Sequence, residues 1–162
     1  MTGIVWRTAA FDELGPHDVH NVLRLRQDVF VIEQSCVFHE IDGRDPLAIH
    51  LLGHQGDRLV AYARIFAPGV VAPDASIGRV VTDASVRGTG LGRPLMREAL
   101  RVAAALAHGA PIRVAAQAHL EGFYGSLGFR TVGEAWVEDG LTHLDMVRAP
   151  DDATPGADPA TG

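Results

Sequence analysis

Arg87-Gly88-Thr89-Gly90-Leu91-Gly92 joins a β-branched run, Ile77 to Thr82, to a long helical pattern beginning near Leu91, and no other stretch constrains the fold as tightly. Alternating glycines let a backbone approach an anion closely, and a helix N-terminus offers unpaired amide N–H groups at the positive end of its dipole. The junction reads as a turn built to hold a phosphate, with Arg87 as a fixed cationic fork. Two nucleotide loops fail on spacing. A P-loop ends in Gly-Lys-Ser/Thr, and the chain has no lysine. The dinucleotide fingerprint G-x-G-x-x-G needs glycine where Arg93 stands and an acidic residue roughly 20 positions on, where Ala103-Ala104-Ala105 lies. A pyrophosphate-binding turn remains, beside a plain glycine-rich turn with no ligand.

Around this junction the pattern is mixed α/β without internal repeats. Ile4 to Ala9 alternates like an edge strand, and Pro16 opens a helix with Val19, Val22, Leu23, Val29 and Phe30 on one face. Residues 34 to 46 break the pattern. Leu47 to Gly53 and Leu59 to Phe66 read as a hairpin around Gln55-Gly56-Asp57. The helix after the glycine loop runs to about His108 with Leu95, Met96, Ala99, Leu100 and Ala103 facing the sheet, and Pro94 is tolerable in its first turn. A strand at Ile112 to Ala116, a short Tyr124 helix and a hairpin of Thr131 to Val137 with His143 to Val147 complete the domain. Length and a 47% hydrophobic composition suit a single domain over 1–149, and the polar segment 150–162 is expected to be disordered.

A net charge of −6 argues against general affinity for nucleic acid, and no stretch approaches the ~20 apolar residues of a membrane span. With one cysteine, Cys36, and no secretory layout at the N-terminus, the cytoplasm is the expected compartment. His50 and His54 make no closed metal site, so no metal is expected.

Downstream, Gln117-Ala118-His119-Leu120-Glu121-Gly122-Phe123-Tyr124-Gly125-Ser126-Leu127-Gly128-Phe129 follows the second β-like run. Together with the glycine loop it resembles the acetyl-CoA site of the GCN5-related N-acetyltransferase (GNAT) superfamily. Arg87, Gly90 and Gly92 match its Arg/Gln-x-x-Gly-x-Gly/Ala pattern, and Tyr124, Gly128 and Phe129 match its Tyr-x-x-x-Gly-Phe pattern. Gln117 departs from the asparagine of many members. Further segments resemble the ElaA-type acetyltransferases of bacteria: Arg26 to Cys36, Ile41-Asp42-Gly43, Ala61 to Ile65, Ile77 to Val80, Gln117 to Leu120, and Glu138 to His143, where Thr142 replaces an expected proline.

The resemblance implies a central, mostly antiparallel sheet of about six or seven strands, two of them parallel and splayed, flanked by about four helices. It implies acetyl-CoA as co-substrate and a primary amine as acceptor. Backbone amides of Val80, Val81 and Thr82 would meet the pantetheine and thioester. The pyrophosphate would fall on the amides of Arg87, Gly88, Thr89, Gly90, Leu91 and Gly92, helped by the side chains of Arg87 and Arg93. Tyr124 matches the tyrosine beside the CoA sulfur, a general acid; read without the motif it is a core aromatic. Gln117 either meets the pantetheine or ends a strand.

Residues 76 to 82 hold no carboxylate, so a general base must come from elsewhere. Glu33, at a helix C-terminus where its charge is unfavourable, is one candidate; a solvated glutamate is the plainer reading. Glu40, Asp42, His50 and His143 are candidates for the acceptor side, and acidic groups there would suit a cationic amine. Direct attack by the amine is favoured over a Cys36 acyl-enzyme. A non-catalytic acyl-CoA-binding module and N-acylation from longer acyl-CoA stand as alternatives, and a homodimer is carried as an expected partner.

Overall fold

Seven strands pair into one sheet in the computed structural model, which describes residues 3–150. They are β1 (Val5–Ala10), β2 (Ile49–Gln55), β3 (Arg58–Phe66), β4 (Ala75–Thr82), β5 (Ile112–Gln117), β6 (Arg130–Glu138) and β7 (Leu141–Arg148), in spatial order β1-β2-β3-β4-β5-β7-β6. Every neighbouring pair is antiparallel except β4 with β5. Three α-helices accompany the sheet among the described residues: α1 (Pro16–Arg26), α2 (Gly92–Ala107) and α3 (Glu121–Gly125). About four were expected, and the first of these three runs on into a π-helical segment, Gln27–Glu33. The expected disordered tail, Pro150 apart, lies outside the described residues.

Alternation along β2 and β3 sorts the core into two faces. Leu51, Ala61, Ala63 and Ile65 pack with Leu95, Met96, Ala99, Leu100 and Ala103 of α2, so the apolar stripe read from the sequence is the stripe buried. Leu52 and Tyr62 point the other way, onto Val22 and Leu25 of α1, with Val29 and Phe30 partly buried beside them. Each fully buried leucine or methionine here is worth about 1.5–3 kcal/mol. Gly53 sits under the Trp6 ring, and a Cβ added there would lie 2.5 Å from Trp6 Cζ3.

The β4–β5 contact positions the site. The two strands pair only at Ala75 with Ile112, Ser76 with Arg113 and Ile77 with Val114, and then part. On its other edge β4 carries a bulge against β3, since Gly78 faces Arg64 and Val81 faces Tyr62. Two β4 residues, Arg79 and Val80, therefore stand opposite one on β3, and Arg79 takes a left-handed φ of 49°. No helix among the described residues is long and apolar enough to cross a membrane.

Candidate active site

The parting strands open a cleft of about 930 Å³. It is walled by β4 from Ile77 to Thr82, by Val114, Ala115 and Gln117 of β5, by Tyr124, by His143 of β7, and by the π segment and its sequel with Glu33, Gln34 and Cys36. The Asp83 amide donates to Val60 O at 2.8 Å. By strand alternation the Val81 amide also faces β3, whereas the Val80 and Thr82 amides face the gap. The expected row of three open amides is thus corrected to Val80 and Thr82.

At the glycine loop the turn winds on itself before α2 starts. The amide of Arg87 donates to Ala84 O and that of Thr89 to Val86 O, so these two are removed from the expected anion cradle. Among the described residues no hydrogen bond takes up the amides of Gly88, Gly90 or Leu91, and Gly92 opens the first helical turn. Gly88 and Gly90 adopt φ of 81° and 82°, which explains why glycine stands at both. Arg93 lies over the Phe123 ring at 5.6 Å instead of turning into the cleft.

Glu33 and Arg87, expected on opposite duties, meet. The Arg87 guanidinium donates to the Glu33 carboxylate and, at 3.3 Å, to Thr82 O. This hydrogen bond and the arginine's charge hold the Glu33 carboxyl below its ordinary value, which weakens it as a base. Glu33 ends the π segment, not α1 as expected, because the helix widens after Arg26 and bonds from Gln34 to Val29 and from Cys36 to Val31 span five residues. The neighbouring side chains cross the cleft too. Gln117 donates to Gln34 at 3.3 Å, and Cys36 Sγ lies 3.6 Å from Asp139 O in the β6–β7 turn.

Tyr124 is buried yet borders the cleft, with edge-on contacts to Phe123 at 5.2 Å and Phe129 at 5.9 Å. Burial pushes its hydroxyl up to about 12, so it stays protonated at neutral pH. No hydrogen bond to that hydroxyl is made among the described residues.

Glu40 and His50 leave the acceptor side altogether and enter a buried ionic network. Arg26, fully buried in α1, donates to Glu40 at 2.6 Å and Asp45 at 2.7 Å. Arg64 of β3 grips Asp42 through two bonds of 2.9 and 2.8 Å and reaches Asp45 at 3.0 Å. Arg79 donates to Glu40 O at 3.0 Å, and its Nε lies 3.0 Å from the Glu40 carboxylate. His50 is held between the Tyr62 hydroxyl at 2.6 Å and Asp45 O at 2.9 Å. Since the carbonyl only accepts, Nε2 carries the proton and Nδ1 accepts from Tyr62, which leaves a neutral ring.

Asp42 does border the cleft, but Arg64 neutralises it. The acidic acceptor surface expected from Glu33, Glu40 and Asp42 is therefore matched arginine for carboxylate, and the carboxylates left on the cleft wall are Glu138 and Asp139. Reading the sequence missed Arg26, Asp45, Arg64 and Arg79. A signal was present: Arg64 and Arg79 interrupt apolar strand runs, and a charge in a buried strand needs a partner. No group of three or more His, Cys, Asp or Glu residues able to hold a metal occurs among the described residues.

Comparison with known proteins agrees with this fold. A family model for an acetyltransferase (GNAT) domain matches residues 29–149. Protein ElaA of Escherichia coli is 39% identical over 147 residues, 90% of this chain and 96% of that protein. Its crystal structure superposes with a TM-score of 0.84, covering 90% of this chain and 99% of that one. An acyl-CoA N-acyltransferase from Pseudomonas aeruginosa superposes with a TM-score of 0.87 at 38% identity, covering 91% and 100%. A UPF0039 protein of Synechocystis is 37% identical over 145 residues, 89% of this chain and 94% of that protein.

Proposed function

Because the chain belongs to the GNAT acetyltransferase family, in its ElaA-type branch, and is an acyl-CoA-dependent acyltransferase, we propose that it moves an acetyl group from acetyl-CoA to a primary amine. The observation that carries this is the gap between β4 and β5, which runs past open amides to an unpartnered Tyr124 hydroxyl. The pantetheine arm lies along Val80 and Thr82, where it takes the place of absent strand pairing. Its pyrophosphate rests on the free amides of the glycine loop, and Arg87 turns from Glu33 to the phosphate, a stronger anion. Gln117 turns from Gln34 to the pantetheine amide.

Direct attack by the amine on the thioester carbon fits a cleft whose single thiol, Cys36, is buried and turned to a backbone carbonyl. Amides at the bulge stabilise the oxyanion, and Tyr124 gives its proton to the departing sulfur. The test is calorimetric titration with acetyl-CoA and, separately, NADH, on wild type and Arg87→Ala. Micromolar acetyl-CoA binding that weakens in the variant supports the site; preference for NADH overturns it. Tyr124→Phe should lower turnover on a panel of amines by about 10²–10⁴-fold with acetyl-CoA affinity kept. A protein that binds acetyl-CoA without turnover is instead an acyl-CoA-binding module, and faster turnover with octanoyl-CoA would move the donor to longer chains.

A further inference from the structure

His143, expected on the acceptor side, belongs to the Glu138 to His143 segment of the ElaA-type likeness. It stands on β7 opposite Gln117 of β5 on one side and Trp136 of β6 on the other, and it borders the same cleft as Tyr124 and Val80. Its ring is stacked on the Trp136 indole, with centroids 4.6 Å apart and planes 15° from parallel. Its Nδ1 lies 2.9 Å from Leu141 O. A carbonyl oxygen only accepts, so Nδ1 bears the proton and Nε2, at the opposite edge of the ring, keeps a lone pair. Among the described residues nothing hydrogen-bonds to Nε2. Stacking and the backbone bond together fix the plane and the tautomer, two conditions that a proton acceptor must meet before its partner arrives.

Two of the cleft's four carboxylates, Glu33 and Asp42, are already engaged. The other two, Glu138 and Asp139, sit at the β6–β7 turn and carry neither the ring stacking nor the fixed tautomer of His143. Glu33 is paired with Arg87 and Asp42 with Arg64, and both are held below their ordinary range. We propose that His143 is the general base of the transfer, with Nε2 receiving the proton of the attacking amine. As the amine nitrogen bonds to the thioester carbon, Nε2 takes its surplus proton. The C–S bond then breaks and the sulfur takes the Tyr124 hydroxyl proton. The imidazolium returns its proton to the phenolate through water, so one amine and one thioester give one amide and one thiol. The charged and titratable groups that share the cleft with the ring are Glu138 and Asp139 at the β6–β7 turn, the Cys36 thiol, His39, His119 and Tyr124. Glu33 and Asp42 are bound to Arg87 and Arg64, with Arg44 and Arg79 beyond them, and Asp145 follows two residues along the ring's own strand.

This assignment rests on the acetyl-CoA reading, and its test separates the two. Acetyl-CoA affinity is measured by calorimetry, and thiol release with the fastest amine of a panel is followed against pH, for wild type, His143→Ala, His143→Gln and Glu33→Gln. His143→Ala should lose about 10²–10⁴-fold in kcat while its acetyl-CoA affinity stays within twofold. Added imidazole, which fits the space left beside Trp136, should restore kcat at least tenfold. His143→Gln should lose the acidic inflection of the kcat/KM profile that wild type and Glu33→Gln share. A His143→Ala enzyme within threefold of wild type, or one that imidazole fails to rescue, overturns the base assignment alone. A wild-type protein that fails to bind acetyl-CoA overturns the donor reading, and the base assignment with it.

Discussion

Arg87 and Glu33 illustrate how one residue's readiness is set by another. The ion pair is exposed on both sides, so it is worth only about 0.2–1 kcal/mol, yet a pyrophosphate must break it to reach the guanidinium. Glu33→Gln should therefore tighten acetyl-CoA binding by up to about fivefold, and high salt should shrink the difference. Calorimetry of both proteins at low and high ionic strength checks this; weaker binding in the variant would mean that Glu33 itself contacts the cofactor. The pairing was not legible in the sequence, because the two residues lie 54 positions apart and nothing local links them. Tyr124 was legible, since Gly128 and Phe129 follow at fixed spacing. Gly128 takes a φ of 94° with a would-be Cβ 3.1 Å from Arg148 Nε, so the motif records a close backbone approach. His50 reads in the sequence like His143, a histidine on a strand, and only the fold parts them. One is sealed between Tyr62 and Asp45, and the other borders the cleft.

At the scale of elements, period and punctuation carried far. The α2 stripe, both hairpins and the strand entering the glycine loop all follow from local pattern. The π-helical segment and the β4 bulge do not, for each is a departure from regular hydrogen bonding imposed by tertiary neighbours. The same holds for residues 34 to 46, which lack periodicity but are fastened by Arg26, Arg64 and Arg79 from three different elements. Those arginines lie in separate segments of the ElaA-type likeness, and their convergence gives that likeness a physical content. Packing makes its own demand between β1 and β2. Gly53→Ala would drive a methyl into the Trp6 ring with Ala61 Cβ behind it at 3.1 Å. We expect a loss of about 1–3 kcal/mol in denaturant unfolding. Gly53→Ala combined with Trp6→Leu should recover part of it, and a single variant as stable as wild type would show that β1 packs elsewhere.

For the molecule as a whole, buried charge writes a pH dependence. Burial keeps His50 neutral, with its protonation pushed below the ordinary value. The unfolded chain binds that proton more readily, so stability is complete above about pH 6.5 and declines as pH falls through the folded value. Burial alone would raise Asp42 and Asp45, but the hydrogen bonds and charges of Arg64 and Arg26 outweigh it and hold both low. Their contribution is complete above about pH 4 and is lost on further acidification. Melting temperature should therefore fall in two stages on acidification, the first absent from His50→Gln; a single stage near pH 4 would mean that His50 is charged in the folded protein. The sheet itself is nearly severed, with β1–β4 and β5–β7 joined by three rungs and by α2 lying across both. Whatever lodges in the gap becomes a surrogate strand, a splint between two half-sheets, so occupancy should register in amide hydrogen exchange at β5 and β7 as well as in chemistry.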